Sequence, residues 1–458
     1  MIDELRRLLG DSGVLTDRAD MAPFCTDWKN TSHGAAACVL RPKSTIEVAA
    51  IMRLCHQAGV PIVPQGGNTS MAAGAIPDAS GGQVVLSLSR MNAIRAVDPV
   101  GMTIELEAGC ILATAKAAAL EHGRLLPISF GAEGSAQIGG VVSTNAGGVN
   151  VLRYGMTRQM VLGLEVVGAD GTVLSGVRHL RKDNAGYDWK QIFIGSEGTL
   201  GIVTAAVLRL LPKPRYVVTA LLSVPDPQHG LALLKLMQDE LGDAISAFEL
   251  ISGFSFGLVE KHFGAKAPVV GDGWFVLLEA SASVVGLREG VEAGLEKALT
   301  EGIATDGVIA ESESQTRAIW ALREQITEAE LKEGRSLKHD VSVPIPSLPA
   351  FLQDATSALA TSFPLAKVNA FGHAGDGNVH FNVLVPSDVG AREINRVVHD
   401  VVAAHGGSIS AEHGIGSYRV AELAHYRSGP ELEFARHIKR SLDPLGLMNP
   451  GKVLAPWD

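Results

Sequence analysis

Apolar and polar positions along the chain change rhythm several times, and each change predicts an element. Residues 1–35 read as a short amphipathic helix and a connecting segment. At 36–42 the run AACVLRP is strand-like, and 44–58 has helical periodicity with Ser44 or Thr45 placed to cap it. A short apolar strand at 60–64 runs straight into Gln65-Gly66-Gly67-Asn68-Thr69-Ser70. Further strands are predicted at 84–88 and 103–108, with an Ala-rich helix at 114–122. Residues 131–155 are glycine-rich and read as loop. Two β segments, 163–168 and 172–174, flank an Asp170-Gly171 turn of the hairpin type. A second glycine cluster at 194–203 leads into an apolar strand that ends at Pro212-Lys213-Pro214, a natural domain boundary. Beyond it, apolar strands such as 274–279 alternate with long helices at 228–241 and 314–332, as in an α/β layer. Glycine loops return after Ala370, and the tail is a helix at 431–442 followed by DPLGLMNPGK.

Composition narrows the classes. The chain has 458 residues, 46% hydrophobic and 19% charged, enough for an ordinary core and too apolar for disorder. The net charge of −10 argues against nucleic acid as a partner and supplies no polybasic stretch for anionic membrane. No apolar run is long enough for a membrane span, and the N-terminus lacks the apolar core of a secretory signal. Cys25, Cys38, Cys55 and Cys110 include no C-x-x-C pair, which predicts a reducing, cytoplasmic setting.

The glycines, 51 in all, concentrate in loops that abut strands. No G-x-G-x-x-G follows a strand and no Walker motif occurs, so NAD and P-loop readings lose their main support. What remains are Gly/Ser/Thr/Asn loops whose backbone N–H groups can converge on a pyrophosphate. Any one of them alone could be a tight turn in a sheet protein.

A second signal is Gly372-His373-Ala374-Gly375-Asp376-Gly377-Asn378-Val379-His380-Phe381-Asn382, joined later by Ser410-Ala411-Glu412-His413-Gly414. The AGDGN segment reads as a turn that folds His373 back beside His380, and His380 and Asn382 fall on one face of the strand that follows. Two histidines and a carboxylate with open positions suit a divalent metal. Singly, each histidine could be structural. Glu412 and His413 are adjacent, so one can be a ligand and the other a base. A metal hydrolase is the rival reading, since a metal and a base also activate water. It leaves the glycine loops unexplained, and no H-E-x-x-H is present. A binding subunit without chemistry of its own is a further rival.

PQGGNTS, GSAQIGGVVSTNAGG followed by RYG, and GSEGTLGIV together resemble the FAD-binding domain of the vanillyl-alcohol-oxidase flavoprotein superfamily. The H-x-G-D-G-N-x-H-x-N, S-A-E-H-G-I-G and N-P-G-K motifs extend the resemblance to its D-2-hydroxyacid dehydrogenase branch, over nearly the whole chain. The resemblance implies an α+β architecture. It comprises an FAD-binding domain of two α/β subdomains (1–213), a substrate-binding cap with a largely antiparallel sheet (214–410), and a short helical segment (411–458) returning to the flavin. Gly66, Gly67, Asn68, Thr69, Ser70, Gly134, Ser135, Gly139 and Gly140 would hold the FAD pyrophosphate. Asn145, Gly147 and Gly148 would line the flavin, and Gly201, Ile202 and Val203 would meet the adenine side. Gln65, Ser143, Tyr154, Glu197 and Asn449 complete the implied cofactor set. Residues 65–74 hold no His or Cys for covalent attachment, so FAD is expected to be non-covalent.

By the same resemblance His373, His380 and Glu412 are metal ligands, His413 is the catalytic base, and Asn382 is a substrate contact. Zinc is the expected ion, with manganese, iron or cobalt as alternatives. Arg323 and Thr327 are four apart and are expected to share one helical face, with Lys338 opening the next strand. Read alone, they are surface residues. R-E-x-I-T-E-A followed by K-x-D-x-S-V-P resembles the members that oxidise D-2-hydroxyglutarate, and implies that the three hold a distal carboxylate. D-lactate and D-malate are the alternative substrates. An electron-transfer flavoprotein or a quinone is the implied electron acceptor, and a homodimer is a further expectation.

Overall fold

A computed structural model describes residues 1–456. The chain divides into two compact units. The first comprises Met1–Gly147, Met156–Lys213 and Glu412–Asp458; the second comprises Gly148–Gly155 and Pro214–Ala411.

In the first unit, one four-stranded sheet runs Val14–Leu15, Ala36–Leu40, Gln83–Ser87, Ile62–Gln65, and its last three strands are parallel. Helix Thr45–Ala58 connects two of these strands. The Ser44 hydroxyl caps it by accepting from the Glu47 N–H at 3.2 Å, and Gly59 ends it at φ 64°. Its Ile51, Met52 and Cys55 meet Leu40, Val84 and Leu86 in a core closed to water. Strands buried on both faces explain why these runs are continuously apolar rather than alternating. A five-stranded antiparallel sheet follows, in the order Ile94–Asp98, Thr103–Glu107, Ile202–Arg209, Val161–Val167, Val173–Gly176. The last two strands form the hairpin predicted at Asp170-Gly171, with Gly171 at φ 81°.

One local expectation fails here. The glycine-rich stretch 131–155 is not all loop: Ile138–Ser143 and Val151–Tyr154 are helical turns. Gly139 and Gly140 sit inside the first of them, where low helix propensity misleads. A Cβ on Gly139 would come within 2.8 Å of the Ala108 Cβ, so close packing is what selects glycine there.

The second unit is built on an eight-stranded antiparallel sheet. Its order is Asp306–Ile309, Tyr216–Val224, Trp274–Ala282, Ile245–Ser252, Lys367–Gly372, Asn378–Leu384, Ser336–Leu337, and Asp340–Ser342 also pairs with Asn378–Leu384. Strand Ile245–Ser252 is buried along its whole length. Leu250 faces helix Pro227–Leu241, where a Cβ on Gly230 would meet its Cδ1 at 2.9 Å. Ile251 faces the opposite way and packs with Phe275, Phe371, Ile319 and Leu322.

The predicted helix 314–332 is two helices, Glu313–Glu324 and Ile326–Glu333, parted at Gln325. Arg323, in the last turn of the first helix, is buried, and Thr327, in the first turn of the second, is exposed. Among the described residues no helix is long and apolar enough to cross a membrane.

Candidate functional site

One face of the large sheet is interrupted by a polar stripe. Period-two alternation puts Glu249 on the same side of its strand as Ile251, Asn369 with Phe371, and His380 and Asn382 with Leu384. Cross-strand register then pairs Asn369 with Asn382, Phe371 with His380, and Asp340 with His380. His373 follows directly on Gly372, at φ 149° in a turn that returns the chain to Asn378. Gly377, at φ 84°, completes that turn, and a Cβ on it would lie 2.3 Å from the Val343 carbonyl oxygen. The turn brings the two imidazoles together, with ring centroids 5.5 Å apart.

Two fully buried acids anchor the stripe. Glu249 accepts from the Arg323 Nε at 2.5 Å through one oxygen and from the His373 Nδ1 through the other. Burial pushes its pKa up, but the Arg323 guanidinium and the His373 imidazole outweigh burial and hold it well below the carboxylate range. With Nδ1 so engaged, His373 has Nε2 left to offer. Glu330 accepts from the Lys338 Nζ at 3.0 Å, the Asn369 Nδ2 at 3.1 Å, the Asn382 Nδ2 at 2.8 Å and the Ser336 hydroxyl. Three of these donors, from Lys338, Asn369 and Asn382, converge on one carboxylate oxygen. Beside the stripe, burial raises Asp376 to about 6.

Leaving the sheet, Ser408 bridges to Ser342 and the Ala411 N–H donates to the Asp340 oxygen at 3.0 Å. Glu412 is one peptide bond further on, so chain connectivity alone keeps it near His380. His373, His380 and Glu412 form one set of side chains that could hold a metal ion, and Asp340, His380 and His413 another. The first matches the ligand set implied by the motifs.

Glycine loops distant in sequence meet in the first unit. A Cβ on Gly67 would lie 2.0 Å from the Ser135 carbonyl oxygen, and one on Gly66 would reach the Gly140 nitrogen at 3.4 Å. Among the described residues, the backbone N–H groups of 66–70 donate to no other protein group. Gly134 and Gly140 face open space. This is a cradle of neutral donors, and it fits a pyrophosphate. Side chains near it mostly shape the loops. Gln65 donates to the Phe24 and Ala75 carbonyls, Asn68 to Thr26, and the Ser70 hydroxyl accepts from the Ala72 N–H. Asn145 accepts from the Arg158 N–H.

Glu197 is half-buried and accepts from the N–H groups of Ile415 at 2.7 Å and Gly416 at 2.8 Å, so its carboxylate builds the Gly414–Gly416 turn. Asn449 donates to the Gly74 and Glu197 carbonyls, leaving its buried Oδ1 without a protein donor. Ser143 lends its carbonyl to the Glu197 N–H. Ile202 and Val203 point into the core, so only their backbone and that of Gly201 can face a ligand. Tyr154 lies in the second unit, 3.4 Å from the Ser281 hydroxyl. Cys110 is buried, which pushes its thiol up to about 11 and disfavours the nucleophilic thiolate that covalent flavin attachment needs.

Glu249, Glu330, Asp340 and Asn369 were missed from sequence. The available signal was a lone acid in an apolar run, as in AFELI around Glu249.

This geometry belongs to a known class. Residues 36–176 match the model "FAD binding domain", and residues 213–453 match "FAD linked oxidases, C-terminal domain". Two solved structures share the fold: alkyldihydroxyacetonephosphate synthase (TM-score 0.76, 18% identity, 98% of this chain and 84% of that one) and p-cresol methylhydroxylase with substrate bound (TM-score 0.74, 16% identity, 99% and 96%). The expected vanillyl-alcohol-oxidase-type architecture is therefore met, and the chain is of the FAD-dependent oxidoreductase class.

Among curated proteins it is 41% identical to mitochondrial D-2-hydroxyglutarate dehydrogenase of Bos taurus, over 96% of this chain and 81% of that protein. It is 38% identical to the mitochondrial enzyme of Arabidopsis thaliana, over 99% and 81%. It is 36% identical to D-2-hydroxyglutarate dehydrogenase of Stutzerimonas stutzeri, over 99% of each chain. The chain belongs to the D-2-hydroxyglutarate dehydrogenase family.

These relatives overturn the expected cytoplasmic setting, because those from cattle, Arabidopsis thaliana and Rattus norvegicus are named mitochondrial, while the bacterial one is not. Buried, unpaired cysteines report a reducing environment, and that is not an address.

Proposed function

We propose that this chain oxidises D-2-hydroxyglutarate to 2-oxoglutarate, using non-covalent FAD and a divalent metal ion, with zinc the first choice. The observation that carries the reading is the polar stripe. A buried Arg323 and a half-buried Lys338, each tied to a buried acid, stand on the same sheet face as a ready-made histidine–carboxylate cluster. A monocarboxylate such as lactate would leave that pair of cations in excess. A dicarboxylate has a second charge that must be paired when it is buried.

Bound FAD would supply the acceptor for the hydrogen and electron pair leaving C2, and a bound cation would supply the Lewis acidity that lowers the pKa of the substrate hydroxyl. The chain's own residues do the rest. His373, His380 and Glu412 hold the cation, with His373 oriented by Glu249. His413 takes the hydroxyl proton, a task suited to a neutral imidazole near pH 7. Arg323 offers two Nη groups to the distal carboxylate while its Nε stays on Glu249. Lys338 adds a point charge and Thr327 a hydroxyl. Asn382, held by Glu330, contacts the substrate's polar end.

The test is anaerobic. The purified yellow protein is mixed with D-2-hydroxyglutarate, D-malate, D-lactate and their L forms, before and after chelation. Bleaching by D-2-hydroxyglutarate ahead of the others, lost on chelation and restored by zinc, is the expected result. A flavin untouched by every D-hydroxyacid with the metal present would refute the proposal.

A further inference from the structure

Glu249 stands between two groups that the proposed function treats separately. It lies on strand Ile245–Ser252, has no exposed surface, and has only two oxygens to offer. One binds the Arg323 Nε at 2.5 Å, and the other binds the His373 Nδ1. Arg323 reaches it from helix Glu313–Glu324, and His373 from the turn after strand Lys367–Gly372. Arg323 is itself held against Phe371, its guanidinium carbon 4.7 Å from the ring centroid. A carboxylate fixed on both oxygens and packed on every side has little freedom to rotate.

We propose that Glu249 is a positioning residue shared by the metal and the substrate's distal carboxylate: it fixes the ring of His373 and the fork of Arg323 in one frame, so that cation affinity and dicarboxylate recognition depend on one another. The proposal rests on the metal and substrate readings above. It adds that Arg323, which is no ligand, influences how well the chain holds the cation. The reason is mechanical. A ligating imidazole aims its Nε2 well only while its Nδ1–H is held, and losing such a partner typically costs about 10–100-fold in metal affinity. Here that partner is itself held by Arg323. Without the Nε bond the carboxylate can swing away, and His373 loses its fixed aim.

Two variants of the full-length, flavin-loaded protein are compared with the parent, Glu249→Gln and Arg323→Met. After chelation, Zn2+ affinity is measured by competition with a chromophoric chelator, which needs no turnover. Glu249→Gln is expected to weaken Zn2+ binding by about 10–100-fold, and Arg323→Met several-fold. In the zinc-loaded proteins each variant should raise KM for D-2-hydroxyglutarate far more than KM for D-lactate. The double variant should add little to the larger single effect, since both changes break one linkage.

Unchanged Zn2+ affinity in either folded variant overturns the proposal, as does full additivity in KM. Should Glu249→Gln fail to fold, Arg323→Met decides the matter alone. Failure here is distinguishable from failure of the underlying reading: a parent flavin that bleaches equally well after chelation counts against the metal site itself. Parent-like Zn2+ binding in the variants counts only against the shared anchor.

Discussion

In the glycine loops the groups free to meet an anion are backbone amides of residues 66–70, neutral and set by loop shape. In the polar stripe the groups proposed for that task are the side chains of Arg323 and Lys338, each tied to a carboxylate with no exposed surface. The first arrangement needs no countercharge, and its requirement is steric: nothing larger than hydrogen fits where Gly67 meets Ser135. The second puts charges where solvation is poor, so each cation must have its partner. A cofactor that stays bound suits the former. A substrate that must be recognised, turned over and released suits the latter, because charge discriminates one carboxylate from two.

If that division is real, damage on one side should spare the other. The largest effect is expected at the histidine cluster. His413→Asn should lower kcat by about 10²–10⁴-fold with KM little changed, while the protein purifies yellow and reaches the parent's zinc content. Stopped-flow flavin reduction and metal analysis on one sample check all three. A kcat close to the parent's would remove the base assignment.

Next comes Glu330→Gln. It puts an amide where three donors converge on one oxygen and leaves Lys338 unpaired in a poorly solvated position. Breaking such a pair costs about 3–5 kcal/mol, readable as a lowered midpoint in urea, with the visible flavin spectrum intact before unfolding. A midpoint equal to the parent's would mean that Glu330 is not the anchor described.

The same contrast decides what could be read from the chain. A backbone site must be written as glycine at fixed positions, and PQGGNTS and GSAQIGG carry that mark. Its loops meet in space, and the predicted strands and capped helix of the first unit lie close to where they were expected. Side-chain partners carry no such mark. Glu249 and Glu330 sit on elements far in sequence from His373 and Asn382, and only the sheet order brings them together. The helix break at Gln325 escaped notice because nothing between Arg323 and Thr327 is a breaker; tertiary packing, with Ile326 and Ala329 buried, overrides a continuous pattern.

Gly67→Ala attacks the other side. Its Cβ would lie 2.0 Å from a backbone oxygen, so the loop must move. Overpacking of this kind costs about 1–3 kcal/mol. The variant should leave gel filtration with a reduced ratio of flavin to protein absorbance, yet keep the parent's Zn2+ affinity. A fully yellow variant would show that the contact between the loops does not shape the cofactor cradle.

The smallest effect is a pH dependence at Glu197, a half-buried acid of the cofactor side with backbone donors as its direct partners. Burial raises its pKa against the opposing pull of the Ile415 and Gly416 N–H groups, with Arg419 and Lys452 contributing less. The sign follows from proton counting. With the folded pKa above the unfolded value, the native state holds the proton longer. Stability from this group is therefore greatest below the ordinary carboxylate range and declines as pH rises through the raised value. Glu249 has the opposite sign, since its folded pKa is depressed. Glu197→Gln keeps an acceptor for one of the two N–H groups and removes the titration. Relative to the parent, the variant should therefore gain stability as pH rises from about 4 towards 7, by about 1.4 kcal/mol for every tenfold by which folding tightens the carboxyl's hold on its proton. Urea midpoints of both proteins across that range give the difference directly. A difference independent of pH would mean that the carboxylate is already compensated in the folded chain, and would bring the two sides of the comparison closer together.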